Sequence, residues 1–157
     1  MSPEAHIEKI PASDSSGPAS EITPRPKMRP RLMIVDDNDA FLAAMELLLP
    51  RIFPVEIATS STDGRHALTA LESTPVDLVL VDYKMPGFNG LAFTKRARER
   101  QLWPRILVVS FNPTEELAKG ALESGADGLI SKADIQEELK SYLARWYGCH
   151  STVTVWP

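Results

Sequence analysis

The sequence predicts a doubly wound α/β fold, a parallel sheet covered by helices on both faces. Three observations carry this expectation. Short runs rich in Val, Ile and Leu alternate along the chain with stretches of helical periodicity. Most of these runs are apolar at every position, as strands buried on both faces require. The runs end in polar residues, and in open α/β sheets sites form beyond the C-terminal ends of the strands.

The strands follow in order. Leu32-Met33-Ile34-Val35 ends in Asp36-Asp37, and Val55-Glu56-Ile57-Ala58 is a weaker, alternating run. Val76 to Val81 ends in Asp82, Ile106 to Val109 ends in Ser110, and Gly128-Leu129-Ile130 ends near Lys132. Helical patterns fill the gaps. Phe41, Leu42, Met45, Leu48 and Leu49 form an apolar stripe, with Pro50 as the expected stop. Asp63 is placed to cap a helix carrying Ala67, Leu68 and Leu71. Residues 91–100 are rich in helix formers, and Lys95, Arg96, Arg98 and Arg100 are read as their solvated face. Thr114 caps a helix closed by Gly125, and Ile135, Leu139, Tyr142, Leu143 and Trp146 form a last stripe expected to be core.

The ends of the chain read differently. Six of the 13 prolines and five serines fall in the first 30 residues, and no aromatic precedes Phe41. Such a segment cannot bury enough apolar surface to offset its ordering entropy, so residues 1–29 are expected to be a flexible tail. An inert leader and a partner-docking tail are both open readings. Residues 30–147 form the expected domain and 148–157 a short C-terminal tail. The few residues after Trp146 are too few for an output domain, and Val153-Thr154-Val155-Trp156 alternates like a strand.

Composition narrows the function classes. With 157 residues and 43% hydrophobic content the chain suffices for one domain with a proper core. A net charge of −4 gives no electrostatic case for direct nucleic-acid binding. No apolar run of membrane-spanning length or secretory leader is apparent, and Cys149 is the one cysteine, so a cytoplasmic location is expected. His6, His66 and His150 show no metal-ligand spacing.

The strand ends gather Asp36, Asp37, Asp82, Ser110 and Lys132. Each alone has a plain explanation as cap, turn residue, backbone partner or surface charge. Together they have a chemistry. Clustered carboxylates repel one another, and a divalent cation relieves that repulsion; all-oxygen ligands suit Mg²⁺. A lysine opposite them supplies a point charge for a phosphoryl oxygen, and a serine hydroxyl supplies a hydrogen bond. An aspartate between them can act as nucleophile toward a phosphoryl donor.

Asp36-Asp37 after a strand, Asp82-Tyr-Lys-Met-Pro-Gly-Phe-Asn-Gly90, Val-Val-Ser110 and Glu-Ser-Gly-Ala-Asp-Gly-Leu-Ile-Ser-Lys132 together resemble the receiver domain of two-component response regulators. The resemblance covers about residues 30–147. It implies a flavodoxin-like (βα)5 fold with strand order 2-1-3-4-5, an order the general rule for this fold class already names. It implies Asp82 as phosphoacceptor, with Ser110 and Lys132 contacting the phosphoryl group. Mg²⁺ would be held by Asp37, Asp82 and the backbone carbonyl of Lys84, and by Asp36 largely through water. The implied donor is a phosphohistidine on a sensor histidine kinase or phosphotransfer protein. The implied output is contact with a downstream protein, with homodimerisation through the fourth and fifth helices as one form of it.

Three positions depart from the commonest pattern. Phe111 replaces a small residue beside Ser110. Leu129 replaces the aromatic switch residue, so no hydroxyl can swing there. Ala133 replaces the proline after the lysine, so a trans bond is expected. These departures motivate an alternative, a receiver-shaped scaffold that binds partners without phosphorylation. A phosphatase with an aspartyl-phosphate intermediate is disfavoured, because Lys84 stands where that chemistry needs a second acid. The chain is therefore expected to be a switch and not an enzyme.

Overall fold

The computed structural model describes residues 29–151. Within it five strands and five helices alternate: β1 (Arg31–Val35), α1 (Asp39–Ile52), β2 (Glu56–Ser61), α2 (Gly64–Ser73), β3 (Leu78–Asp82), α3 (Gly90–Glu99), β4 (Arg105–Ser110), α4 (Glu115–Glu123), β5 (Gly128–Ser131) and α5 (Ile135–Tyr147). All neighbouring strands pair in parallel, in the order β2-β1-β3-β4-β5. This is the doubly wound arrangement and strand order expected from the sequence. The expected tail lies outside the described residues except for Arg29, and so does the alternating segment Val153–Trp156.

Alternation along the strands splits the core in two. Leu32, Ile34, Leu78, Leu80, Leu107, Val109 and Ile130 pack with the apolar stripes of α1 and α5. Met33, Val35, Val79, Val81, Ile106 and Val108 pack instead with α2, α3 and α4. This is why β1, β3 and β4 read as unbroken apolar runs: successive side chains point to opposite faces, and both faces are covered. Strand β2 lies at an edge with one neighbour, and its half-exposed side chains explain its weaker signal. Tyr142 and Trp146 pack against the first core cluster, with their ring centroids 4.7 Å apart.

The caps are local and legible. Asn38, Asp63, Asn89 and Thr114 each accept a backbone N–H from the first turn of the helix that follows. Gly125, at φ 102°, makes the left-handed turn after α4 that a side chain would strain.

Three expectations need correction. Pro50 does not stop α1. It lies in the last turn, where its missing N–H removes one bond, and the helix runs on until the Phe53 N–H donates to the Leu49 carbonyl. The buried Phe53 side chain holds that extra turn onto the core. Strand boundaries also shift: β2 extends through Ser61, and β3 begins at Leu78. Asp77 is instead a junction, where its N–H donates to the Arg31 carbonyl, its carbonyl accepts from the Arg105 N–H, and its carboxylate accepts from the Arg31 N–H at 2.7 Å.

The third correction concerns Arg98, which is not part of a solvated basic face. Its guanidinium donates to the carbonyls of Gly125, Leu102 and Pro104 at 2.8–3.0 Å and lies 3.3 Å from Asp127 Oδ2. It thereby ties the end of α3 to the loop before β4 and the loop before β5. Arg100 pairs with Glu72 on α2, whereas Lys95 and Arg96 are exposed. Arg98→Ala removes this donor from three carbonyls, while Asp127 keeps the Ile106 N–H and Arg105, so it is expected to lower the unfolding free energy by about 2–4 kcal/mol. Lys95→Ala is expected to change it by less than about 0.5 kcal/mol. Urea denaturation of both variants measures the difference.

Candidate functional site

The predicted residues converge at the C-terminal ends of the strands. Asp36 follows β1, Asp82 ends β3, Ser110 ends β4 and Lys132 follows β5. Asp36, Asp82, Ser110 and Lys132 are all less than a tenth exposed, whereas Asp37 is exposed. These residues, with Asn38, Tyr83, Lys84, Phe111 and Asn112, line an open cleft of about 950 Å³. A second hollow of about 520 Å³ lies among the loops before β3 and β4, and includes none of the predicted site residues.

Backbone bonds fix the cleft walls. The Tyr83 N–H donates to the Val109 carbonyl, and the Lys132 N–H donates to the Ser110 carbonyl, both at 2.8 Å. The loop from Tyr83 to Gly90 closes on itself when the Gly90 N–H donates to the Tyr83 carbonyl. A Cβ at Gly90 would meet the Asp82 carbonyl oxygen at 2.7 Å, so only glycine lets the start of α3 approach this closely. The Ser131 N–H donates to Glu138 Oε2 at 2.6 Å, which ties the end of β5 to α5.

The charges are arranged around Lys132. Its Nζ lies 2.5 Å from Asp36 Oδ2 and 3.5 Å from Asp82 Oδ1. Asp36 is also held by the Asn38 N–H, which donates to Oδ1 at 2.8 Å. Both carboxylate oxygens of Asp36 therefore have protein partners. The Ser110 hydroxyl oxygen accepts from the Asn112 N–H at 3.1 Å, which leaves its own proton to donate into the cleft. Burial, then the nearby Asp36 charge, push the Asp82 carboxyl up to about 6, against the opposing pull of Lys132.

Asp36, Asp37 and Asp82 each offer one oxygen, all within 4.8 Å of one another. Such a set is matched to a hard divalent cation, which would offset the repulsion among the carboxylates. With both oxygens of Asp36 engaged, Asp37 and Asp82 are the freer carboxylates. Among the described residues no peptide bond is cis, so the Lys132–Ala133 bond is trans as expected. Leu129 is half-buried against the second core cluster, and Phe111 is 73% exposed.

Two residues at the site escaped the sequence reading. Asn38 was not singled out, although an Asn just before an apolar stripe is a readable cap. Phe41 was assigned to that stripe, yet its ring centroid lies 4.3 Å from Lys132 Nζ. Its position one turn after the paired aspartates was the available signal.

With the geometry established, comparison with known proteins assigns a class. The family model for the response regulator receiver domain matches residues 32–144. The chain belongs to the receiver domain family of response regulators. It is 32% identical over 108 residues to the nitrate/nitrite response regulator NarL of Escherichia coli, a match spanning 69% of this chain and 50% of that protein. It is 31% identical over 102 residues to the DNA-binding transcriptional activator EvgA of the same species, spanning 65% of this chain and 50% of that protein. The chain thus spans about half the length of these relatives. Among solved structures, the receiver domain of a NarL response regulator from Mycobacterium tuberculosis superposes with a TM-score of 0.63 at 25% identity, covering 76% of this chain and 97% of that one. A CheX–CheY complex with BeF3 and Mg²⁺ from Borrelia burgdorferi shares the fold, with a TM-score of 0.59 at 22% identity, covering 72% of this chain and 88% of that one.

The raised Asp82 carboxyl has a consequence for stability. Its folded value near 6 exceeds its ordinary 3.8, so the folded protein binds this proton more tightly than the unfolded chain. Ionised Asp82 therefore costs stability above pH 6 in the metal-free protein, and protonation relieves that cost as the pH falls toward 4. Asp82→Asn is expected to stabilise the metal-free protein by about 1–3 kcal/mol at pH 7. The advantage should vanish by about pH 4. Thermal or urea unfolding of both proteins across this range, with chelator present, is the measurement.

Proposed function

We propose that the chain is a phosphorylation switch that accepts a phosphoryl group on Asp82 and signals through protein contacts. The observation that carries this reading is the position of the buried Lys132 ammonium, between Asp36 and Asp82 and over a cleft that also presents the Ser110 hydroxyl. Receiver domains interact with histidine kinases or phosphotransfer proteins, so the donor is taken to be a phosphohistidine.

The chemistry follows from the side chains. With its carboxyl near 6, Asp82 is mostly ionised at pH 7 and can act as nucleophile. A bond forms between an Asp82 oxygen and phosphorus while the donor P–N bond breaks, and the imidazole departs with the electron pair. Lys132 pairs with one phosphoryl oxygen, and Ser110 donates its proton to another. Receiver domains bind Mg²⁺ at an acidic pocket. Here Asp37, Asp82 and the Lys84 carbonyl would hold it directly, and Asp36 through water. When bound, the ion supplies positive charge against the carboxylates and the transferring group.

The protein acts stoichiometrically in this reading, not as a turnover enzyme, and its location is the cytoplasm. With its net negative charge the domain makes no direct nucleic-acid contact, although relatives such as EvgA are DNA-binding regulators. Output passes through a protein target or through a homodimer on α4 and α5. A second reading, a phosphorylation-independent scaffold, is favoured by two observations. The exposed Phe111 ring offers contact area, and Leu129 lacks a rotating hydroxyl.

Incubation of the full chain with phosphoramidate and Mg²⁺ is expected to add one phosphoryl mass, read by intact mass spectrometry. Asp82→Asn should remain unmodified, chelator should block the reaction, and Lys132→Ala should slow it by about 100-fold. A wild-type chain that stays unmodified, yet binds its partner undiminished, establishes the scaffold reading instead.

A further inference from the structure

We propose that Phe41 and Phe111 form an aromatic clamp on Lys132, with Phe41 as the positioning residue that holds the ammonium against Asp36 and off Asp82. The clamp acts on the same site and rests on the reading of Asp82 as the phosphoryl acceptor.

The starting point is the coordination of a buried cation. The Lys132 side chain is 6% exposed, so its ammonium has little water to satisfy three N–H donors. Asp36 Oδ2 takes one. Asp82 Oδ1, at 3.5 Å, lies at the outer limit of a hydrogen bond. The remaining positive charge faces two rings: the Phe41 centroid is 4.3 Å from Nζ and the Phe111 centroid 5.0 Å. Both lie within the range where the negative face of a benzene ring attracts a cation, and the attraction strengthens when water is excluded.

A lysine stem has four rotatable carbons and does not fix its own head group. Charge alone would let the ammonium settle on either of the two carboxylates it faces. The structure instead places it 1.0 Å closer to Asp36 than to Asp82, from the 2.5 and 3.5 Å separations. Phe41 and Asp36 belong to one connected unit. Asn38 donates its N–H to Asp36 Oδ1, and its side-chain oxygen accepts the Phe41 N–H. One cap residue thus fixes both the carboxylate and the ring that hold the lysine.

The consequence is a prepared site. The Asp82 oxygen is not consumed by a short ion pair with the lysine, so its lone pairs are free to attack phosphorus. The ammonium stays beside Asp82 Oδ1, at 3.5 Å, within reach of a phosphoryl oxygen carried on that carboxylate. When the oxygen–phosphorus bond forms and the donor leaves with its electron pair, Lys132 keeps its protons and neutralises the new charge. Loss of the Phe41 ring lets the ammonium collapse onto Asp82, which ties up the nucleophile.

Three variants and one spectroscopic signature test this in the full chain. With phosphoramidate and Mg²⁺, Phe41→Leu is expected to accept the phosphoryl group roughly 2- to 30-fold more slowly than wild type, the rate equivalent of a cation–π contact. Phe41→Tyr keeps the ring and should restore the rate to within about twofold, and the resonance shift described next separates a ring contact from a packing defect. Phe111→Leu, at an exposed position that does not endanger folding, should slow the reaction about 2- to 5-fold. By NMR, the Lys132 ε-methylene protons should resonate upfield of those of the other lysines in wild type and Phe41→Tyr, and return toward them in Phe41→Leu. Unshifted Lys132 protons in wild type, or wild-type rates in both Phe41→Leu and Phe111→Leu, overturn the clamp. If wild type accepts no phosphoryl group at all, the reading of Asp82 fails, and the ring-current shift still decides the clamp.

Discussion

The arrangement of this molecule turns on the repulsion between two buried carboxylates, Asp36 and Asp82, and the single ammonium that stands between them. Neither carboxylate is exposed enough for water to screen the other, and the effect is visible in the raised Asp82 carboxyl. Such a pair is tolerable only with a cation held in place, and Lys132 meets that need from the far side of the sheet. Much of the surrounding structure serves to keep the three groups in register. The β1-β3-β4-β5 order sets them side by side, Gly90 lets α3 pack against the Asp82 backbone, and Glu138 secures the strand end that precedes the lysine.

The same balance makes the site responsive. A group of charges that is only partly compensated changes state readily when a cation or a phosphoryl group is added. An apolar site of equal size would be more stable and chemically silent. Burial also shortens the list of partners that can compensate the charge, and this is why a phenyl ring matters next to an ammonium that has lost its water.

The sequence revealed the fold where both faces of a strand are buried. The unbroken apolar runs around Ile34, Leu80 and Leu107 are legible because every side chain there enters one core or the other. Where burial is one-sided the signal faded, so β2 was read too short at its polar end. Pro50 misled because a proline near the end of a helix forfeits only one hydrogen bond, and tertiary packing of Phe53 outweighs that loss. Arg98 was misplaced for a related reason: composition and helical spacing describe the chemistry of a side chain, not which carbonyls a loop brings within its reach. At the site, the polar residues were found because each ends a strand. Phe41 was missed because its helical spacing already had an adequate explanation as core, and its second contact, to Lys132, lies 91 positions away in the chain, from residue 41 to residue 132.

The placement of the lysine after the last strand has a bearing on biogenesis. A chain made from its N-terminus exposes Asp36, Asp37 and Asp82 well before residue 132 exists. Until β5 docks, pairing of β1 with β3 brings these acidic groups together without the lysine that faces them in the folded domain. A chain that stops short of residue 132 would carry these carboxylates without the ammonium that faces them in the folded domain. Completion of the charge pattern coincides with completion of the sheet, so an assembled site is itself a mark that the whole domain has folded.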